Sequence, residues 1–174
     1  MNVAELVNMS FWFATAMMLA STVFFFVERG DVKEKWRTSM TVAGLVTGVA
    51  FWHYLTMSKL SAAGGVVTTY RYVDWLITVP LQIVEFYLIL AAVTTVSSGL
   101  FWRLLGASLV MLLGGFLGEA GLLVTPAVGF LIGMAGWIYI IYEVFSGEAS
   151  KLSVSSANAG GQFAFNTLRI ILTA

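Results

Sequence analysis

Apolar residues in this chain gather into long runs separated by short polar segments, and each long run approaches the roughly 20 residues that cross a bilayer as a helix. The first covers residues 10–27 and ends at Glu28-Arg29-Gly30-Asp31-Val32-Lys33-Glu34-Lys35-Trp36-Arg37. A second covers 39–57, a third 69–93, a fourth 100–118 and a fifth 123–145, with short Gly- or Ser-containing connections between them. Residues 146–162 are rich in Ser, Gly, Ala and Asn and read as a polar loop, after which 163–174 turns apolar again. That last run is too short for a hydrocarbon layer roughly 30 Å thick. The pattern predicts an all-α membrane protein, an up-down helical bundle of five complete transmembrane helices plus the start of a sixth, in a single transmembrane domain over residues 1–174. No basic segment precedes the first run and no small-residue cleavage pattern follows it, so it reads as a first transmembrane helix rather than a cleaved leader.

Composition narrows the class further. Of 174 residues, 59% are hydrophobic and 10% charged, and the mean hydropathy of +0.90 is far above that of a water-soluble domain. Nine Lys and Arg balance nine Asp and Glu, which leaves no basic surface for nucleic acid. With no cysteine and a single histidine, His53, neither a thiolate nucleophile nor a clustered metal site is expected. The positions of the charges orient the bundle: Arg29, Lys33, Lys35 and Arg37 follow the first run, Arg103 begins the fourth and Lys151 follows the fifth. These fall on one side if helices alternate, while the other side has only Lys59, so the N-terminus is expected outside and the first loop in the cytoplasm.

The third run holds three ionisable residues, Arg71, Asp74 and Glu85, in a segment that should lie within the membrane. An uncompensated charge at the bilayer centre costs about 2.5 kcal/mol or more, so such groups are retained where they face a polar interior. Asp74 and Glu85 are eleven positions apart. At about 100° per residue that separation is three turns plus about 20°, so both side chains leave one helix face, about 16 Å apart along the axis. Thr78 shares that face, Arg71 lies one turn from Asp74, and Pro80 falls between the two acids, where it frees a backbone carbonyl and favours a kink. An aspartate beside a positive group and ordered water stays ionised, whereas a glutamate alone among apolar side chains stays protonated. One acid is then poised to accept a proton and the other to supply one. The alternative is a structural Arg71–Asp74 ion pair, with Glu85 packed against another helix.

Other residues are more ambiguous. His53 sits in Phe51-Trp52-His53-Tyr54, and a lone histidine among aromatics is more often structural than proton-handling. Trp75, Met111, Gly115 and Trp137 could line an aromatic slot or serve only helix packing, while the glycines of the fourth and fifth runs allow close backbone approach. Glu119 and Glu143 lie near helix ends, where solvation at the interface accounts for them.

Four stretches together carry a family resemblance. They are Ala20-Ser21-Thr22-Val23-Phe24-Phe25-Phe26-Val27-Glu28-Arg29, Phe51-Trp52-His53-Tyr54, the whole of residues 71–90, and Gly133-Met134-Ala135-Gly136-Trp137. In these the chain resembles the microbial rhodopsins, over essentially its full length. The resemblance implies a seven-helix fold, all-trans retinal as cofactor and light-driven outward proton pumping. It implies Asp74 as Schiff-base counterion and proton acceptor, Glu85 as cytoplasmic donor, and Thr78 as the third member of their motif. It further implies that His53 pairs with the acceptor and raises its pKa, with Arg71 beneath the counterion. Trp75, Gln82, Met111, Gly115 and Trp137 correspond to the retinal pocket, and glutamine at position 82 goes with blue absorption where leucine goes with green. Trp12 corresponds to a tryptophan that reaches the histidine of a neighbouring protomer, and the resemblance implies a homo-oligomer, a pentamer or hexamer, in a bacterial inner membrane. The resemblance also requires a retinal-binding lysine in a seventh helix. None of Lys33, Lys35, Lys59 and Lys151 falls within an apolar run, so that lysine is expected beyond residue 174 of a longer protein. Two other readings stay open: a photosensory rhodopsin, which would not need the donor, and a proton-coupled transporter that uses the same acids without a chromophore.

Overall fold

A computed structural model describes residues 2–156 and 158–173 of the chain. Its elements are helical throughout: α1 (Val3–Glu28), a single 3-10 turn (Glu34–Trp36), α2 (Arg37–Ala62), α3 (Thr68–Ala91), α4 (Ser98–Glu119), α5 (Pro126–Phe145), α6 (Glu148–Ser155) and α7 (Ala159–Thr173). Five helical segments among the described residues are long and apolar enough to cross a membrane. Large apolar side chains such as Phe13, Trp102, Phe130 and Leu131 face outward, as expected where lipid is the solvent. The chain divides into two compact units, residues 1–82 and 83–174, with the boundary inside α3.

In the first unit α1 begins seven residues earlier than the hydrophobic run. Asn2 and Glu5 form a reciprocal capping box, with hydrogen bonds of 2.8 and 2.9 Å that satisfy donors the first turn would otherwise leave open. α1 packs on α2 where small residues permit it. The Thr22 hydroxyl donates to Thr47 Oγ1 at 2.9 Å, and Gly48 faces Thr22.

In the second unit α4 packs on α5 through glycine. A Cβ on Gly118 would lie 2.9 Å from the Gly129 Cα, so the two backbones meet where no side chain fits. α5 starts at Pro126 rather than near 123 because Gly121 and Leu123 turn through left-handed conformations, both at φ 64°, before Thr125 caps the helix. The core collects Leu100, Leu104, Ile140 and Val144 around Phe165, whose ring meets Phe86 edge-on at 5.4 Å.

The polar segment 146–162 is largely helical rather than a loop. Its polar side chains satisfy helix ends instead of water. Glu143 Oε2 accepts from the Glu148 amide at 3.0 Å at the start of α6, and Asn158 Oδ1 accepts from the Gly161 amide at 2.7 Å at the start of α7. Gln162 Nε2 donates to the carbonyls of Ser153 and Val154, each at 3.1 Å, which closes the end of α6.

Candidate functional site

α3 is a continuous helix through Pro80. Asp74 (3% exposed), Thr78 and Glu85 (8% exposed) are all buried, together with Tyr72, Ile83 and Phe86. The face that carries the two acids and Thr78 is buried, but so are Tyr72 and Ile83 on the far side of the helix, so burial of α3 is not confined to that face. The Thr78 hydroxyl donates to the backbone carbonyl of Asp74 at 3.0 Å, so it firms the helix turn rather than contacting a carboxylate.

The partner of Asp74 comes from α2. His53 Nδ1 lies 3.2 Å from Asp74 Oδ1 and 3.0 Å from the carbonyl of Val49. A carbonyl only accepts, so the Nδ1 proton belongs to the bond with Val49; Asp74 Oδ1 has no hydrogen-bond partner among the described residues, and its contact with the ring is electrostatic. The Arg71–Asp74 ion pair that the spacing allowed is not among the ion pairs of the described residues. Arg71 instead lies over the Trp75 ring, 5.8 Å from its centroid. Ser10, Tyr54, Arg71, Asp74 and Trp75 line a cavity of about 330 Å³ that joins the buried carboxylate to polar groups of α1 and α2.

Three of the residues assigned to a chromophore pocket come together in the second unit. Met111 and Gly115 from α4 and Trp137 from α5 line an open, apolar cavity of about 440 Å³ with Phe130, Gly133 and Met134. Trp75 belongs to the cavity at Asp74, and Gln82 is exposed. Trp12 is also exposed, on the outward face of α1.

One buried acid escaped the sequence reading. Glu143, assigned to interfacial solvation, is only 5% exposed. It accepts from the Tyr139 hydroxyl at 3.1 Å, and Arg103 approaches it at 3.5 Å. Its place within the apolar run Ile140-Ile141-Tyr142-Glu143-Val144-Phe145, one turn after Tyr139, was the available signal. Arg169 was also passed over; its guanidinium lies 4.9 Å from the Phe145 ring centroid.

Five membrane-length helices among the described residues, with a buried carboxylate–histidine contact between two of them, define a multi-pass membrane protein. The chain belongs to the bacteriorhodopsin-like protein family, which it matches over residues 5–174, and within that family to the proteorhodopsins. It is 56% identical to the blue-light absorbing proteorhodopsin of Gamma-proteobacterium Hot 75m4, over 99% of this chain and 68% of that protein. The crystal structure of blue light-absorbing proteorhodopsin from Med12 is similar at 59% identity and a TM-score of 0.79, over 96% of this chain and 74% of that one. That of xanthorhodopsin, a light-driven ion pump with dual chromophore, aligns at 27% identity and a TM-score of 0.84, over 97% and 74% of the two chains.

Membership of this family implies retinal. Each unit has residues that suit part of such a group: in the second, the apolar cavity lined by Met111, Gly115 and Trp137 suits a polyene, and in the first, the buried Asp74 carboxylate suits a cationic linkage. They supply no buried amine, since Lys33, Lys35, Lys59 and Lys151 are all exposed.

Proposed function

We propose that this protein is a light-driven outward proton pump, with Asp74 as acceptor and Glu85 as donor. The observation that carries the reading is the buried Asp74 carboxylate held against His53 at 3.2 Å, in a chain of this family. Retinal, when bound, would supply light absorption, and the proton to be moved would sit on the nitrogen that its lysine anchor contributes. Met111, Gly115 and Trp137 would hold its apolar body, with Trp75 and Gln82 as further pocket residues and a lysine outside residues 1–174 as its covalent anchor.

Asp74 accepts a proton on its carboxylate, beside the His53 ring, whose Nδ1 stays bonded to the Val49 carbonyl. Arg71 sits one helical turn away on the cavity that leads from Asp74 toward Ser10 and Tyr54, and its charge favours departure of the proton along that cavity. Glu85, buried eleven residues further along α3, then donates inward. Vectorial transport follows from acceptor and donor lying at different depths of one helix. In this reading the N-terminus is outside, the protein sits in a bacterial inner membrane, and Trp12 on the exposed face of α1 meets a neighbouring protomer of a pentamer or hexamer.

The presence of a buried carboxylate at the Glu85 position favours a pump over a photosensor, which has no need of a donor. The test is the direction of light-induced pH change in cells or vesicles containing the retinal-loaded natural protein. Acidification on the N-terminal side supports the reading; no light-dependent change, or uptake from that side, overturns it.

A further inference from the structure

One face of α2 changes character along its length. Arg37, Thr41, Gly44, Gly48 and Trp52 follow at helical spacing, so a basic residue at the start of the helix, a hydroxyl, two glycines and an exposed tryptophan lie in one stripe. The glycines are met from α1: a Cβ on Gly44 would lie 3.0 Å from the Phe26 ring, and one on Gly48 3.4 Å from the Thr22 methyl. Beside them, between α1, α2 and α3, runs an apolar slot of about 380 Å³ walled by Phe26, Leu45, Trp52 and Ile77, all of them exposed. From Gly44 to Trp52 it follows about 12 Å of α2.

Two guanidinium groups stand at the seam of α1 and α2 where this stripe begins. Arg29, which ends α1, donates from Nε to the Thr41 hydroxyl at 2.7 Å, and Arg37, at the start of α2, reaches back to the Gly30 carbonyl at 3.5 Å. Both are exposed, and neither belongs to an ion pair among the described residues. Arginine presents several donors in a planar fork that suits phosphate oxygens, and these contacts engage one nitrogen of each. The same connection carries Lys33, Lys35 and the acids Glu28, Asp31 and Glu34, with Lys35 over the Trp36 ring at 5.4 Å. Residues 28–37 thus hold four basic side chains against three acidic ones, so charge alone selects little here. The fit is to a ligand that joins a phosphodiester to an alkyl chain.

We propose that this seam binds an anionic phospholipid of the phosphatidylglycerol type, with its phosphodiester on Arg29 and Arg37 and one acyl chain in the slot between Gly44 and Trp52. Basic side chains at the end of a membrane helix attract anionic headgroups, and the slot opens to the lipid through its exposed walls. Spread along about 12 Å, its volume gives a cross-section of about 30 Å², wide enough for an alkyl chain but not for a helix about 10–12 Å across. A helix from a second copy is further disfavoured because α1 already covers the two glycines with Phe26 and Thr22. Free phosphate would leave the apolar slot without a partner. Lipid binding here does not depend on the pumping reading.

The test uses the natural full-length protein in nanodiscs of phosphatidylglycerol and phosphatidylethanolamine, in equal amounts and with the same acyl chains, read by native mass spectrometry. Phosphatidylglycerol should be retained in preference, and Arg29→Gln together with Arg37→Gln should reduce that preference about tenfold or more. A phosphatidylglycerol with a photoactivatable group on its acyl chain should label residues 44–52. Gly48→Leu, whose side chain fills the slot, should abolish that labelling. If this variant does not fold, Leu45→Trp on the exposed wall replaces it. No preference in the parent protein, labelling confined to other segments or unchanged in the slot variant, or displacement of the lipid by inorganic phosphate overturns the proposal. A slot variant that changes the number of protomers but not lipid retention gives the slot to a second copy, and overturns it as well.

Discussion

His53 Nδ1 stands 3.2 Å from Asp74 Oδ1, a contact between α2 and α3 that joins the chain's single histidine to a carboxylate only 3% exposed. In the pigmented protein, protonation of Asp74 removes a negative charge that stabilises the cationic ground state, so absorption moves to the red as pH falls through that transition. His53→Asn should displace the midpoint by about one pH unit or more, equivalent to about 1.4 kcal/mol of differential interaction. A spectrophotometric pH titration checks this, and an unmoved midpoint returns His53 to a packing role.

Asp74→Asn should abolish light-driven proton release, since the amide cannot accept the proton. Glu85→Gln should leave the first transfer intact and slow the later recovery by about a hundredfold. Flash photolysis separates the two steps. Recovery at the parent rate in Glu85→Gln removes that residue from the donor role.

Gln82→Leu should shift the absorption maximum toward green with pumping retained, because replacing a polar amide by an alkyl group changes the relative stabilisation of ground and excited states. An absorption spectrum is sufficient. An unchanged maximum places the side chain outside the chromophore's field.

The four lysines of this chain are exposed, and a retinal linkage needs an amine shielded from water. Residues 1–174 expressed alone should give no visible pigment with all-trans retinal, and borohydride should trap no retinyl adduct on them. Intact mass spectrometry reads the result; a trapped adduct on Lys33, Lys35, Lys59 or Lys151 would falsify the assignment.

Two glycines of α4 should respond in opposite directions. Gly118→Ala places a Cβ 2.9 Å from the Gly129 Cα and should cost about 1–3 kcal/mol by forcing α4 and α5 apart. Gly106→Ala meets no atom within 4 Å and should gain up to about 1 kcal/mol from helix propensity. Thermal melting in one detergent distinguishes them.

Much of the site was legible because it lies along one helix. The eleven-residue spacing placed Asp74 and Glu85 on a common face, and both are buried. Thr78 is buried on that face too, and its hydroxyl turns back to the Asp74 carbonyl. Segment 146–162 was misjudged because its Ser, Asn and Gln side chains suggest a loop by composition. Asn158 and Gln162 instead close the start of α7 and the end of α6, which a composition average cannot register.

By itself the sequence determined the membrane-length helices, their approximate limits and the face of α3 that carries charge, because hydropathy and helical period are properties of a single segment. Only the tertiary structure decided that Asp74 meets His53 rather than Arg71, and that Glu143 is buried between Tyr139, Arg103 and the α6 amide instead of solvated at an interface. Those pairings depend on how each helix is rotated about its own axis against its neighbours. In the second unit that rotation is set by packing at positions such as Gly118, Gly129 and Gly147, and in the first Gly48 meets Thr22; there the absence of a side chain lets two segments come close enough for distant residues to touch.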